Sequence, residues 1–178
     1  MTLWVFLAAA ALLSLERLCY VYVARAPGRF RAFCKRPAVA YWGEPVAILQ
    51  RLFYGFKGLQ LAVFFGWCYV HGQGSLSPAG SGLLPLGIGV GLIVVGQILN
   101  FGVFYRLGAV GVFYGNRLGH DIPWCRAFPF SLFRHPQYVG TVCSIWGFFL
   151  LMRFPRHDWY MLPALETAYY LFGAYFES

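Results

Sequence analysis

The sequence predicts an all-α, polytopic membrane helix bundle with four to five transmembrane helices, and three observations predict it. Of 178 residues, 60% are hydrophobic, 20% aromatic and only 11% charged, whereas a soluble domain carries roughly 45–50% apolar and about 25% charged residues. No Asp, Glu, Lys or Arg occurs from Gly58 to Tyr105, a run long enough to cross a bilayer twice at about 20 residues per crossing. The formal net charge of +8 belongs mainly to alternate connections between apolar runs. Such a chain has too little polar surface to face water. A soluble enzyme, a disordered tail, a coiled coil and a nucleic-acid-binding domain are excluded.

Five apolar segments, 2–24, 46–70, 83–105, 136–152 and 159–176, are each expected to be helical, because in lipid only helices or closed barrels satisfy the backbone. The first starts like a signal peptide but lacks the positive n-region, and its apolar run continues through Cys19–Ala24. It is therefore read as a membrane helix. The last two segments are short and joined by the brief connection Arg153–Asp158. They form either a full or a shallower hairpin, which leaves the count at four or five.

Orientation follows from basic residues in the connections. The first holds Arg25, Arg29, Arg31, Lys35 and Arg36, the third holds Arg106, Arg117, Arg126 and Arg134, and the second, His71 to Gly82, holds none. Connections one and three are expected in the cytosol; Arg153 and Arg156 in the fourth run against the rule. The third connection, Arg106 to His135, is long and mixes Gly108, Gly111, Gly115 and Gly119 with aromatics, and long connections in compact proteins usually carry function. The chain reads as one domain, 1–178, with amino-terminal helices at 1–82 and a core at 83–178. Cys19, Cys34, Cys68, Cys125 and Cys143 are odd in number and lack ligand spacing, so neither a disulfide framework nor a metal site is expected.

Ionisable residues inside apolar segments are expensive and therefore candidates for a site. Glu16 and Arg17 are expected to neutralise partners on other helices, and Lys57 to snorkel from the cytosolic end. Glu166 lies near the middle of the last segment, and Glu166, Tyr170, Gly173 and Glu177 share one helical face. That stripe suits a cationic ligand through charge pairing and cation–π attraction, or a hydrogen-bonded packing face. Gly87, Gly89 and Gly91 lack the strand that a phosphate loop needs and are read as helix-packing residues. Gln97 and Asn100, close to Gly96, lie on one face, where they meet a ligand or another helix. The densest block runs from Phe128 through Arg134, His135 and Pro136 to Tyr138 and Gly140. Proline is favoured at the first helical turn, so Arg134 and His135 sit beside unpaired helix N–H groups, a geometry that binds a carboxylate or phosphate.

Arg134-His135-Pro-x-Tyr138-x-Gly140 resembles the signature of the small integral-membrane methyltransferases, which include isoprenylcysteine carboxyl methyltransferases and phospholipid N-methyltransferases. The stretch from Gly111 through Tyr114, Arg117, His120 and Asp121 to Trp124, followed by Phe128-Pro129-Phe130, is similar to the phospholipid N-methyltransferase pattern, particularly its plant and algal branch. The resemblance covers roughly residues 85–178. It implies S-adenosyl-L-methionine as methyl donor, no metal, and phosphatidyl-N-methylethanolamine as a bilayer substrate methylated onward to phosphatidylcholine. It also implies an endoplasmic-reticulum-type membrane, with a cofactor pocket at the cytosolic face. For the donor it points to Gly96, Gln97, Asn100, Arg134, His135, Tyr138, Gly140 and Glu177. Two departures stand out: only Gly96 of the triplet Val94-Val95-Gly96 fits the family's G-x-G element, and Glu177 is followed by Ser178 rather than a second Glu.

In-line methyl transfer needs alignment, exclusion of water and an unprotonated amine. With lysine's pKa of about 10.4 as a stand-in, the free base at pH 7 costs about 4–5 kcal/mol. His120, Asp121 and Glu166 are the candidate proton acceptors, and Tyr114, Arg117, Trp124 and Tyr170 the candidate substrate contacts. The donor is expected to enter from the cytosol and the lipid from the side. The rival readings are carboxyl methylation of a prenylated cysteine and a non-catalytic lipid-binding membrane protein.

Overall fold

The computed structural model describes residues 3–78, 80, 82–123 and 125–177, the side chain of Glu177 apart. All regular structure among them is helical. Five long helices coincide with the five apolar segments: α1 (Leu3–Arg25), α4 (Pro45–His71), α5 (Leu83–Val112), α7 (Pro136–Met152) and α8 (Met161–Glu177). The first connection folds into α2 (Pro27–Cys34) and α3 (Pro37–Ala40), and the third contains α6 (Gly115–Leu118). Pro27, Pro37, Pro45 and Pro136 open their helices, where the missing N–H costs nothing and the fixed φ is already helical.

α5 runs past the expected end at Tyr105. The residues beyond it remain apolar apart from Arg106, whose Nε donates to the Phe128 carbonyl (3.2 Å). Gly108, at φ 60° and ψ −178°, interrupts the helix, a conformation open to a residue without a Cβ.

α1 and α5, the latter with its continuation to Leu118, are long and apolar enough to cross a bilayer. α7 and α8 have 17 residues each, which at about 1.5 Å per residue is shorter than a hydrocarbon core of about 30 Å. α4 has 27 residues but carries Arg51, Lys57 and Gln60, which dilute its hydropathy. Large apolar side chains face outward along these helices, including Leu83 (87% exposed) and Phe101 (70%). Such a surface is costly in water and ordinary in lipid.

α5 and α7 form the closest helix pair. Gly96 faces Gly140 and Gly89 faces Gly147, and a Cβ on any of them would collide with the opposite helix. Of the glycines expected to pack, Gly89 does so, whereas a Cβ on Gly87 or Gly91 would meet no other part of the protein within 4 Å. α1 packs on α4 and α8. One apolar core gathers Leu13, Phe64, Trp67, Ile145, Phe149 and Leu162; a second gathers Val23, Phe30, Leu49, Phe113 and Leu118.

The two ends of the bundle are distinct. At one, connections one and three meet: Arg117 Nη1 donates to the Ala24 carbonyl (2.9 Å), and α2 packs on α6. α8 finishes there as well, with Arg25 over the Phe176 ring at 5.0 Å. At the other end, Asp158 is 1% exposed. It accepts bonds from Arg153 Nε (2.9 Å) and Nη2 (2.7 Å) and from the Trp67 indole (3.0 Å). Arg153 thus departs from the charge rule because its charge is spent inside the protein. Burial alone would push the Asp158 carboxyl up, but the bonds from Arg153 and Trp67 outweigh it and hold the group below the usual carboxylate range.

Candidate active site

α1, α4 and α8 bring their few polar residues to one level of the bundle. Lys57 does not snorkel outward: its Nζ donates to Glu16 Oε2 (3.1 Å), Gln60 Oε1 (3.1 Å) and Tyr170 Oη (3.0 Å). Gln60 Nε2 donates to Glu166 Oε1 (2.8 Å), and Glu16 also pairs with Arg17. The Arg17 guanidinium is 4.1 Å from the Tyr170 ring centroid, 5.4 Å from Tyr20 and 5.5 Å from Tyr138. Glu16 does neutralise a partner on another helix, Lys57, as expected; Arg17 does not, pairing instead with Glu16 of its own helix.

Around this cluster lie cavities that share lining residues. A small cavity of about 40 Å³ is walled by Arg17, Tyr20, Lys57, Tyr114, Tyr138 and Tyr170. Through Tyr114, Gln137 and Tyr138 it adjoins a cavity of about 250 Å³ that also touches Asn116, Arg117, Arg134 and His135. That cavity in turn shares Leu107, Gly111, Asn116, Phe130 and Arg134 with a pocket of about 740 Å³ under the third connection. The larger of the two has the size of a small-molecule site, about 300–1,000 Å³. On its other side the small cavity meets, at Phe53, Lys57, Gln137 and Thr141, a cleft of about 660 Å³ between α4 and the α5–α7 pair. The cleft has an exposed apolar rim of Tyr54, Leu61 and Phe101. Its polar stripe is Gln97, Asn100, Thr141 and Ser144, with Gln97 Nε2 donating to Ser144 Oγ (3.0 Å). Gln137 lines the small cavity, the cleft and the 250 Å³ cavity alike.

The structure sorts the residues singled out in the sequence. Arg134, His135, Tyr138, Tyr114 and Arg117 come together around the 250 Å³ cavity, and the His135 ring stacks on Tyr138 at 5.7 Å. Tyr170 joins them from α8, its ring 5.2 Å from Tyr138. The Tyr170 face that suits a methylated ammonium is, however, covered by Arg17. Gln97 and Asn100 line the cleft instead of the 250 Å³ cavity. Gly96 and Gly140 press against each other at the helix crossing, which leaves a ligand no approach to either Cα. His120 and Asp121 are exposed, and neither they nor Glu166 line any of these cavities. Glu166 is buried behind Gln60. Trp124 and the Glu177 side chain lie outside the described residues. Tyr20, Gln60, Gln137 and Thr141 escaped the sequence reading, since an isolated Tyr, Gln or Thr in an apolar run announces nothing until its neighbours are known. Among the described residues no cluster of His, Cys, Asp and Glu that could hold a metal is present.

The 250 Å³ cavity, the donor side of the reaction that the sequence leads one to expect, has the right chemistry for a zwitterionic, cationic-centred molecule. Arg134 and the α7 N-terminus suit a carboxylate, and aromatic walls suit a sulfonium. The cleft, with its apolar rim, suits an acyl chain. Over 54 residues the chain is 50% identical to phosphatidyl-N-methylethanolamine N-methyltransferase of Arabidopsis thaliana, a stretch covering 30% of this chain and 33% of that relative. No solved structure matches the chain. The phospholipid methyltransferase family matches residues 85–178, from the start of α5 through the Arg134–Gly140 motif to the end of α8, and the chain belongs to that family.

Proposed function

We propose that the protein transfers methyl groups from S-adenosylmethionine to the amine of phosphatidyl-N-methylethanolamine and of its dimethyl product, yielding phosphatidylcholine. The observation that carries this reading is the row of adjoining cavities around Gln137, with the methyltransferase motif at one end and an apolar, exposed rim at the other. We assign connections one and three, which carry most of the basic residues, to the cytosolic face of an endoplasmic-reticulum-type membrane. α4, α7 and α8 then complete the membrane-embedded bundle with α1 and α5.

The donor supplies a methyl group on a positively charged sulfur. Arg134 and His135, at the start of α7, bind its carboxylate, and Tyr114 and Tyr138 wall the reacting end and keep water out. Gln137 stands where the two compartments meet and aligns the amine with the methyl group. A methylated amine reaching the small cavity comes close to Arg17 and Lys57, and nearby like charges disfavour its protonated form. The proton then leaves to solvent in the donor-side cavity, since His120, Asp121 and Glu166 stand off this path. Glu16, shared by the two cations, keeps the site from repelling the sulfonium as well.

The test is an assay in membranes with labelled donor. Label in phosphatidylcholine after addition of phosphatidyl-N-methylethanolamine, diminished by His135→Ala, is the expected result. Label in a prenylated cysteine peptide, with none in the lipid, overturns the reading.

A further inference from the structure

Tyr20 is 6% exposed and lines the small cavity, yet its hydroxyl has no hydrogen-bond partner among the described residues. A buried hydroxyl without a partner is unfavourable, so this one points to an atom that arrives with a ligand. Lys57 is the other unusual group. Its side chain is 24% exposed and lines both the small cavity and the cleft, but not the donor-side cavity. It and Arg17 share a single carboxylate, Glu16, and one of the three acceptors around its Nζ is the neutral amide of Gln60.

We propose that α1 and α4 supply the lipid headgroup subsite: Lys57 takes the phosphodiester at the inner end of the cleft, and the Tyr20 hydroxyl takes the amine in the small cavity. The inference rests on the phospholipid methyltransferase reading and adds residues outside the family-matched stretch 85–178. The order of the cavities sets the orientation. The small cavity adjoins the donor-side cavity at Tyr114, Gln137 and Tyr138, where the amine has to meet the methyl group, whereas the apolar rim suited to the acyl chains belongs to the cleft on its other side. The headgroup therefore enters amine first, and its two-carbon linker leaves the phosphate at the shared wall of Phe53, Lys57, Gln137 and Thr141. There an anionic oxygen displaces the Gln60 amide from Nζ, a stronger acceptor replacing a weaker one. The donor's carboxylate is the other possible source of an anionic oxygen, but it would have to cross the small cavity to reach Lys57.

The test uses the full chain in lipid nanodiscs as wild type, Lys57→Met, Lys57→Arg and Tyr20→Phe. Native mass spectrometry measures binding of phosphatidyl-N-methylethanolamine and of a phosphate-free N-methylamine amphiphile with the same chains. Calorimetry measures binding of S-adenosylhomocysteine. Lys57→Met is expected to weaken the phospholipid about tenfold or more, as loss of a charge-assisted hydrogen bond does. S-adenosylhomocysteine should bind it as it binds wild type, the phosphate-free amine should bind no more weakly than to wild type, and Lys57→Arg should restore the phospholipid. Tyr20→Phe is expected to weaken both amines and leave S-adenosylhomocysteine binding unchanged; this variant decides the matter if Lys57→Met does not fold. Equal wild-type affinity for the two amphiphiles overturns the proposal, as does a Lys57→Met variant that loses S-adenosylhomocysteine and keeps the lipid. Phosphate-selective binding without label transfer from the donor supports the subsite and sinks the methyltransferase reading.

Discussion

The guanidinium of Arg17 lies 4.1 Å from the ring centroid of Tyr170, so a cation from the first helix caps an aromatic from the last. Tyr170 also accepts a hydrogen bond from Lys57, and the three residues tie α1, α4 and α8 together at one depth. Arg17→Met should therefore lower stability by about 3–5 kcal/mol, the usual cost of breaking a buried ion pair from one side. Thermal unfolding in detergent checks it. A change near zero would mean that Lys57 alone satisfies Glu16.

The glycines of the α5–α7 crossing differ sharply from those that face outward. Gly96→Ala drives a Cβ into Ser144 and the Gly140 carbonyl and should destabilise by about 1–3 kcal/mol or more through overpacking. Gly91→Ala meets nothing within 4 Å and should stabilise by about 0.5–1 kcal/mol, because the helix then holds a residue with less entropy to lose. Paired unfolding measurements on the two variants read the contrast directly.

Asp158 carries the pH dependence of the far end of the bundle. Its carboxyl is held below the usual range in the folded protein, so the unfolded chain binds a proton more readily than the native one. Its stabilisation is complete above the ordinary Asp pKa of about 3.9 and is lost as the pH falls through the lower native value. Asp158→Asn should remove about 3–5 kcal/mol at neutral pH, leaving Arg153 buried without its counter-charge. It should also flatten the acid limb of a stability–pH profile, which chemical denaturation at several pH values would record.

Gln137 offers a test of function at the meeting point of the compartments. Gln137→Leu keeps the volume and removes the polar end, and kcat should fall about tenfold, the effect of about 1.4 kcal/mol of lost transition-state alignment. His135→Ala should instead weaken S-adenosylhomocysteine binding while leaving phospholipid binding intact. Steady-state kinetics and calorimetry separate the two.

All five long helices were visible in the sequence, because an apolar run closed by proline or by basic residues needs no tertiary information to be seen. The extension of α5 was not: the break at Gly108 left residues 106–112 looking like connection, and only the packing of Gly111 and Val112 against their neighbours makes them wall. In the site, Arg134, His135 and Tyr138 could be read from a local motif. Glu16, Arg17 and Lys57 were visible as charges too costly to be idle, but Lys57 was assigned to the wrong surroundings, since its acceptors lie 41 and 113 residues away along the chain. Gly96 and Gly140 look the same whether a ligand or a helix approaches them; only the coordinates show that each approaches the other.

The four glycines that clasp α5 to α7 have a mechanical consequence. With those two helices locked backbone to backbone, one bank of the lipid entrance is immovable, and the opposite bank, α4, touches α5 only sparsely. Admitting a bulky diacyl guest then falls to the swing of a single helix against the surrounding fatty chains, which makes the bilayer's own lateral pressure a partner in setting how often the entrance opens.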